Sequence, residues 1–250
     1  GINTTLAAIL ERYPPLCGNF PVRGLGTMAH LIDVRDACKI YRQGGEEIRA
    51  LDHVSFWVDE GEFVAIIGQS GSGKSTLMNL LGCLDAPTSG SYFLDGQDVS
   101  QLGEAELSRI RNREIGFVFQ GFNLIPSLDA AENVELPLLY RGIPRAERRQ
   151  LSRRALQSVG LENRLHHLPS QMSGGQQQRV AVARAIAASP PVLLADEPTG
   201  NLDSRSGAEV MGILRRLNGQ GKTVVLITHD PGIAGQAGRT VTIQDGRIVS

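Results

Sequence analysis

Eight consecutive residues, Gly68-Gln69-Ser70-Gly71-Ser72-Gly73-Lys74-Ser75, fit the pattern G-x-x-x-x-G-K-[ST]. The glycines let backbone N–H groups turn inward around phosphate oxygens with no side chain in the way. Lys74 adds a full positive charge near the β- and γ-phosphates of a nucleotide. The Ser75 hydroxyl is a hard oxygen ligand suited to Mg2+, and Thr76 follows in the first helical turn. Gly68, Ser70, Gly71, Ser72, Gly73, Lys74, Ser75 and Thr76 are therefore the expected triphosphate cradle. A helix starting at Ser75 would aim its positive end at the same place.

A second constellation is Val192-Leu193-Leu194-Ala195-Asp196-Glu197, an apolar strand that delivers two adjacent carboxylates. Successive strand residues point to opposite sides, so the two acids can hold different roles. Asp196 would hold Mg2+ through water. Glu197 would polarise the water that attacks the γ-phosphate. Alone, such a pair is weak, because strand ends often carry acids; after a phosphate cradle in the right order it is strong.

The third is Ser173-Gly174-Gly175-Gln176-Gln177-Gln178-Arg179, the start of a helix that continues through Val180 to Ile186. Ser173 is a good N-cap. Two glycines in a first turn weaken a helix, yet they suit a phosphate approaching bare N–H groups. One cradle already serves the triphosphate. A second anion-binding helix start, about 100 residues later in the chain, suggests a site completed by another copy.

These residues need elements to position them. Segments 31–41 and 50–58, separated by Gly44-Gly45, read as two antiparallel strands. Residues 62–68 form an apolar run of the kind buried on both faces of a parallel sheet. In Ser75 to Leu84, the leucines 77, 80, 81 and 84 make one helix face. Residues 101–189 read as mostly helical. Leu102, Leu107 and Ile110 mark one helix, and 129–141 and 145–159 suggest two more, with Pro144 at a helix start. The arginines 148, 149, 153 and 154 read as a solvated face. Val192 to Ala195 and Thr223 to Ile227 are further strands, and Val241 to Val249, with Asp245-Gly246, ends as a hairpin. The pattern is an α/β, doubly wound core with an inserted helical block, whose ligands sit beyond the carboxyl ends of the strands. Gly68, Asp196, Glu197 and His229 all fall there.

Bulk properties add boundaries. The chain has 250 residues, net charge −1, 41% hydrophobic and 20% charged residues, so no charge imbalance argues for nucleic acid. Cys17, Cys38 and Cys83 lack metal-ligand spacing and read as reduced thiols. No apolar stretch is long enough to span a bilayer; the longest candidate, 180–195, is broken by Arg184 and Pro190-Pro191. Residues 1–27, rich in proline and glycine, are expected to be an extension outside the fold, the rival reading being a docking tail. A strand-like segment opens at Met28. His166 and His167 read as surface residues.

Taken together, these motifs resemble the ABC ATPase family, whose signature motif matches Ser173 to Arg179. Met172 departs from the leucine usual before Ser-Gly-Gly, a volume-conserving change. The resemblance runs from about 31 to 249. It implies a P-loop NTPase core, RecA-like and mostly parallel, with an N-terminal antiparallel β-subdomain and an inserted α-helical subdomain. The domain would span 28–250, with 28–100 and 190–250 forming the core and β-subdomain and 101–189 the helical part. By the same resemblance Tyr41 stacks on adenine, Gln120 senses Mg2+ and the membrane partner, and Asp203 belongs to the D-loop. His229 is the switch histidine that contacts the γ-phosphate, a role its place at a strand end beside the carboxylates also suits. Within the family, the strings from Met78 to Asp85, Ala195 to Asp203 and Thr228 to Pro231 resemble the macrolide-exporter and lipoprotein-release group. The family resemblance implies a head-to-tail homodimer with two ATP at its interface. Members of the macrolide-exporter group often carry their membrane domain on the same chain. This one stops at Ser250, so it is expected to be either a separate subunit working with a membrane permease or a truncated fragment. Its expected place is the cytoplasmic face of the membrane, with export as the work done. A regulatory cassette that drives a cell-envelope enzyme would share every motif. A DNA-repair type would need a coiled-coil or zinc insertion, and a translation factor would need two cassettes in one chain.

Overall fold

The structure, a computed structural model, describes residues 30–250; the expectations for residues 1–27 and for Met28 lie outside the described residues. Among the described residues the strands form two sheets. One is antiparallel, in the order β2-β1-β4-β5, from β1 (Ile32–Gln43), β2 (Glu46–Val58), β4 (Ser89–Leu94) and β5 (Gln97–Asp98). The other runs β10-β9-β3-β8-β7-β6, from β3 (Phe63–Ile67), β6 (Ile115–Phe119), β7 (Val192–Asp196), β8 (Thr223–Thr228), β9 (Arg239–Gln244) and β10 (Arg247–Ile248). Strands β9, β3, β8, β7 and β6 are parallel, and β10 turns back against β9 through Asp245 and Gly246. Both turn residues have positive φ, 47° and 75°, as a tight two-residue hairpin requires.

The central strands are apolar throughout because both of their faces are covered. Along them, alternate side chains serve two cores. Val64 and Ile66 of β3, Val192 and Leu194 of β7, and Val225 and Ile227 of β8 face a core shared with the antiparallel sheet and with helix α1 (Lys74–Leu81). Phe63 and Ala65, Leu193 and Ala195, and Val224 and Leu226 face a second core. That core is closed by α3 (Ala130–Tyr140), α4 (Arg145–Ser158), α5 (Gly174–Ile186) and α6 (Ser204–Gly219). Each fully buried Val, Leu or Ile contributes about 1.5–3 kcal/mol.

Three expectations change. Residues 115–119, read within a helical block, are the edge strand β6, parallel to β7. Gly116 suits the strand's position, because a Cβ there would lie 2.4 Å from the Ala185 carbonyl at the end of α5, where the strand passes close beneath. Helix α2 (Glu104–Glu114) precedes that strand and packs Leu107 into the first core. The helix expected to reach Leu84 ends at Leu81. Gly82 donates back to Met78, Cys83 takes φ 53°, and Leu84 is exposed rather than on the buried face. The hairpin β4–β5 was also not foreseen; its turn is Asp95-Gly96, both with positive φ.

Candidate functional site

The register of the parallel sheet brings the candidate residues to one edge. Phe119 pairs with Asp196, Asp196 with Ile227, and Ile67 with Thr228. Gln120 and Glu197 therefore leave the sheet level with Thr228 and Ile67, and His229 and Gly68 follow one residue further on at the same edge. A cleft of about 670 Å³ lies there, lined by Ile67, Gly68, Gln69, Ser70, Lys74, Glu197, His229 and Thr242. A neighbouring hollow of about 410 Å³ is lined by Gly71, Gly73, Lys74, Ser75 and Thr76 together with Ile48, Ala50 and Asp245.

The glycine loop between β3 and α1 is shaped by close approach at two positions and left open at a third. A Cβ on Gly68 would lie 2.3 Å from the Ile243 carbonyl and 2.5 Å from Ser72 Oγ. One on Gly73, at φ 103°, would lie 2.6 Å from the Ala50 carbonyl. Gly71, at φ 78°, has no atom within 4 Å of such a position, so the space beside it is free for a ligand. Ser72 Oγ is buried without a hydrogen-bond partner, which a phosphate oxygen nearby would supply. Lys74 is folded over the loop, its Nζ donating to the carbonyls of Gly68 and Gln69 at 2.7 Å each.

Across the cleft, Glu197 stands in the left-handed region, φ 43°, a conformation that costs a non-glycine residue about 1–2 kcal/mol. Its carboxylate holds the geometry by accepting three hydrogen bonds. Thr228 Oγ1 donates at 3.0 Å, the His229 backbone N–H at 2.8 Å and His229 Nδ1 at 2.6 Å. A carboxylate only accepts, so Nδ1 carries the hydrogen in that bond. The His229 side chain is 70% exposed, against 15% for Glu197. Burial and the neighbouring charge of Glu197 push the Asp196 carboxyl above its usual range, and Lys74 opposes them. Hydroxyl, carboxylate and amide oxygens from Ser75, Asp196 and Gln120 are a hard donor set of the kind Mg2+ takes.

Other expected residues lie elsewhere. Gln120 is exposed and does not line the cleft; its Nε2 donates to Asn201 Oδ1 at 3.2 Å. Tyr41, 37% exposed on β1, lines neither hollow; its hydroxyl donates to Asp85 Oδ2 at 3.1 Å. Ser173, Gly174, Gly175 and Gln176 also stand apart from the cleft. Ser173 caps α5 reciprocally with Gln176, whose N–H reaches Ser173 Oγ at 3.3 Å while its side-chain oxygen takes the Ser173 N–H at 3.0 Å. Gly175 meets the start of α6, since a Cβ there would sit 2.6 Å from Ser206 Oγ. Asp203, the N-cap of α6, accepts from the N–H and the hydroxyl of Ser206. Residues 173–176 and 203–206 thus form one surface of the chain.

Comparison with known proteins decides the family. Residues 51–200 match the sequence pattern described as ABC transporter. The chain belongs to the ABC transporter family. It is an ATP-binding cassette of that family, and its activity is ATP hydrolysis. It is 52% identical over 221 residues to an uncharacterised ABC transporter ATP-binding protein of Thermotoga maritima, spanning 88% of this chain and 94% of that one. It is also 52% identical over 220 residues to the macrolide export ATP-binding/permease protein MacB of Hyphomonas neptunium, again over 88% of this chain. The chain spans about a third of that relative's length (34%). A solved dimeric structure of the ATP-binding cassette MJ0796, in a post-hydrolysis state with ADP and Pi, superposes with a TM-score of 0.81 at 47% identity. It covers 88% of this chain and 97% of that one.

The cassette also holds contacts that the sequence did not disclose. Arg184 of α5 donates to the carbonyls of Phe122 and Asn123, themselves consecutive left-handed residues at φ 60° and 50° just after Gln120. Burial lowers the Arg184 pKa, yet the two carbonyls satisfy its guanidinium. Thr228 gives no sign in the sequence of donating to Glu197. Asn201 and Gln178 carried no signal beyond their place in longer strings.

Proposed function

We propose that this cassette drives substrate export through a separate membrane permease, by an ATP-dependent closure of two head-to-tail copies at the cytoplasmic face of the membrane. In this reading each ATP lies between the Gly68–Ser75 loop of one copy and Ser173 to Gln176 of the other. The observation that carries it is the division within a single chain. Gly68, Ser70, Lys74, Glu197 and His229 share a cleft, while the Ser-Gly-Gly helix start faces elsewhere beside Asp203. A second copy can bring that helix start to the triphosphate. The dimeric form of the MJ0796 cassette supports this arrangement. The MacB relatives support export and a permease partner. Among the described residues no helix is long and apolar enough to cross a membrane, so transport needs a spanning partner or segment.

The residue roles follow. Backbone N–H groups of the loop with Ser70, Ser72 and Thr76 grip the phosphates, and Lys74 turns from its loop carbonyls to the β- and γ-phosphates. Tyr41 offers its ring to adenine. Ser75, Asp196 and Gln120 would hold Mg2+, which neutralises charge on the phosphates when bound. Glu197 polarises the attacking water, His229 contacts the γ-phosphate, and Asp203 meets the opposite copy. Closure excludes water, and hydrolysis loosens the pair.

The test is the oligomeric state of Glu197→Gln with Mg-ATP, with and without the permease. A nucleotide-dependent dimer is expected. A strict monomer in both conditions would end the shared-site reading.

A further inference from the structure

The amide of Gln178 sits where three functional segments meet. It lies on α5, the helix that begins at Ser173, and is 0% exposed. Its Nε2 donates to the Phe119 carbonyl at 3.2 Å and to the Pro198 carbonyl at 2.7 Å. Phe119 immediately precedes Gln120, and Pro198 immediately follows Glu197. The amide has two N–H groups, one for each carbonyl. Its Oε1 is buried with no hydrogen-bond partner. The other buried side chains of this helix, Val180, Ala181, Val182, Ala183 and Ala185, are all apolar. Packing alone would favour an apolar side chain of the same volume, because an unpaired buried oxygen is unfavourable.

We infer that Gln178 is a positioning residue for hydrolysis, tying the Ser-Gly-Gly helix to the two backbone segments that carry Gln120 and Glu197. Both bonds end on backbone, so neither partner can swing aside as a side chain could. A displacement of α5 must carry those segments with it or break the amide's bonds. What engages the start of the helix is thereby passed to the hydrolytic carboxylate. The inference rests on the reading of Glu197 given above.

The test is steady-state hydrolysis and equilibrium ATP binding by the full chain. Gln178→Met keeps length and volume and removes both donors. Turnover is expected to fall about tenfold or more while the ATP Kd stays within about threefold, because the Gly68–Ser75 loop is untouched. Gln178→Glu is the second variant, and it decides the matter if the first does not fold. A neutral carboxyl keeps one O–H donor and an ionised one keeps none. Its kcat should therefore decline as pH rises through its titration, relative to the parent, with ATP affinity flat. Turnover of Gln178→Met within about twofold of the parent, or kcat and affinity falling in parallel, would overturn the inference. So would a Gln178→Glu pH profile that superposes on the parent's. Glu197→Gln in the same assay separates the two ideas. Undiminished turnover there counts against the reading of Glu197. A dead Glu197→Gln beside a fully active Gln178→Met counts against Gln178 alone.

Discussion

Gln120 and Asn201 hold one another by two hydrogen bonds, Gln120 Nε2 to Asn201 Oδ1 at 3.2 Å and Asn201 Nδ2 to the Gln120 carbonyl at 3.1 Å. The pair joins the end of β6 to the segment between Glu197 and Asp203. A Cβ on Gly200 would lie 2.7 Å from Gln120 Nε2, so a larger residue there would push the Gln120 side chain aside. The bond uses Nε2 and fixes the direction of Oε1, the atom that would face Mg2+, so turning that oxygen freely toward the ion requires release from Asn201. Asn201→Ala removes that competitor. The Mg2+ concentration for half-maximal hydrolysis should drop, with ATP affinity little changed. A Mg2+ titration of ATPase activity checks this, and an unchanged midpoint would show that the pairing does not restrain Gln120.

Glu197→Gln should leave ATP binding nearly intact and remove turnover. The three donors that the carboxylate accepts, from Thr228 and His229, restrain the side chain in place, so the amide is expected to stay near its position. Lys74→Ala should do the reverse and abolish tight binding, because among the described residues no other lysine or arginine lines the loop apart from Arg49 at its outer hollow. Nucleotide titrations and single-turnover hydrolysis distinguish the two. Parent-level hydrolysis by the first, or parent-level affinity in the second, would refute the respective role.

Ser173→Arg places a bulky cation at an exposed helix start outside the cleft. Loss of the N-cap should cost about 1 kcal/mol of stability. ATP should still bind each chain, while hydrolysis stops because the second copy can no longer close. Full activity would mean that this helix start does not complete the site.

The glycines of the loop should separate packing from ligand space. Gly68→Ala forces a methyl against the Ile243 carbonyl and Ser72 Oγ, so the loop must shift and both stability and ATP affinity should fall. Gly71→Ala meets nothing in the nucleotide-free protein. Its stability loss should be confined to about 1–2 kcal/mol of left-handed strain, while ATP affinity falls as the methyl enters the phosphate space. Thermal melts beside ATP titrations would show the contrast. Equal stability losses in the two variants would contradict it.

Asp196 carries a pH dependence of unusual sign. Its folded pKa is raised above the ordinary carboxylate value by burial and by Glu197. The ionised form is therefore disfavoured by folding. This contribution is destabilising at neutral pH and is relieved as pH falls through the raised pKa. Asp196→Asn should accordingly raise the melting temperature of the nucleotide-free protein at pH 7, by a margin that shrinks on acidification. It should also lose Mg2+-dependent hydrolysis. A lower melting temperature at pH 7 would contradict the burial argument.

The legible parts of this protein were those where one stretch of chain carries the whole signal. The glycine cradle, the apolar strands β3, β7 and β8, and the cap at Ser173 depend on neighbours in sequence, and they could be read there. β6 could not, because five residues directly after an arginine-rich helix are too few to show a period of their own. What makes them a strand is pairing with β7, some 77 residues away by the Ile115–Val192 register. Leu84 fits a helical face in sequence yet lies past the turn at Gly82-Cys83. Gln178 and Asn201 are polar residues among polar residues until the fold brings distant carbonyls and amides to them. Tyr41 and Gln120 could be named only through family resemblance; Gln120 is engaged with Asn201, and Tyr41 lies beside Thr76 with its hydroxyl bound to Asp85.

The left-handed backbone at Glu197 has a consequence for engineering. Glycine would sit there more comfortably than any acid, and asparagine nearly so. A library of variants ranked by heat resistance alone would drift toward those replacements and discard the acid early. Screening for turnover in the same round is the way to keep it.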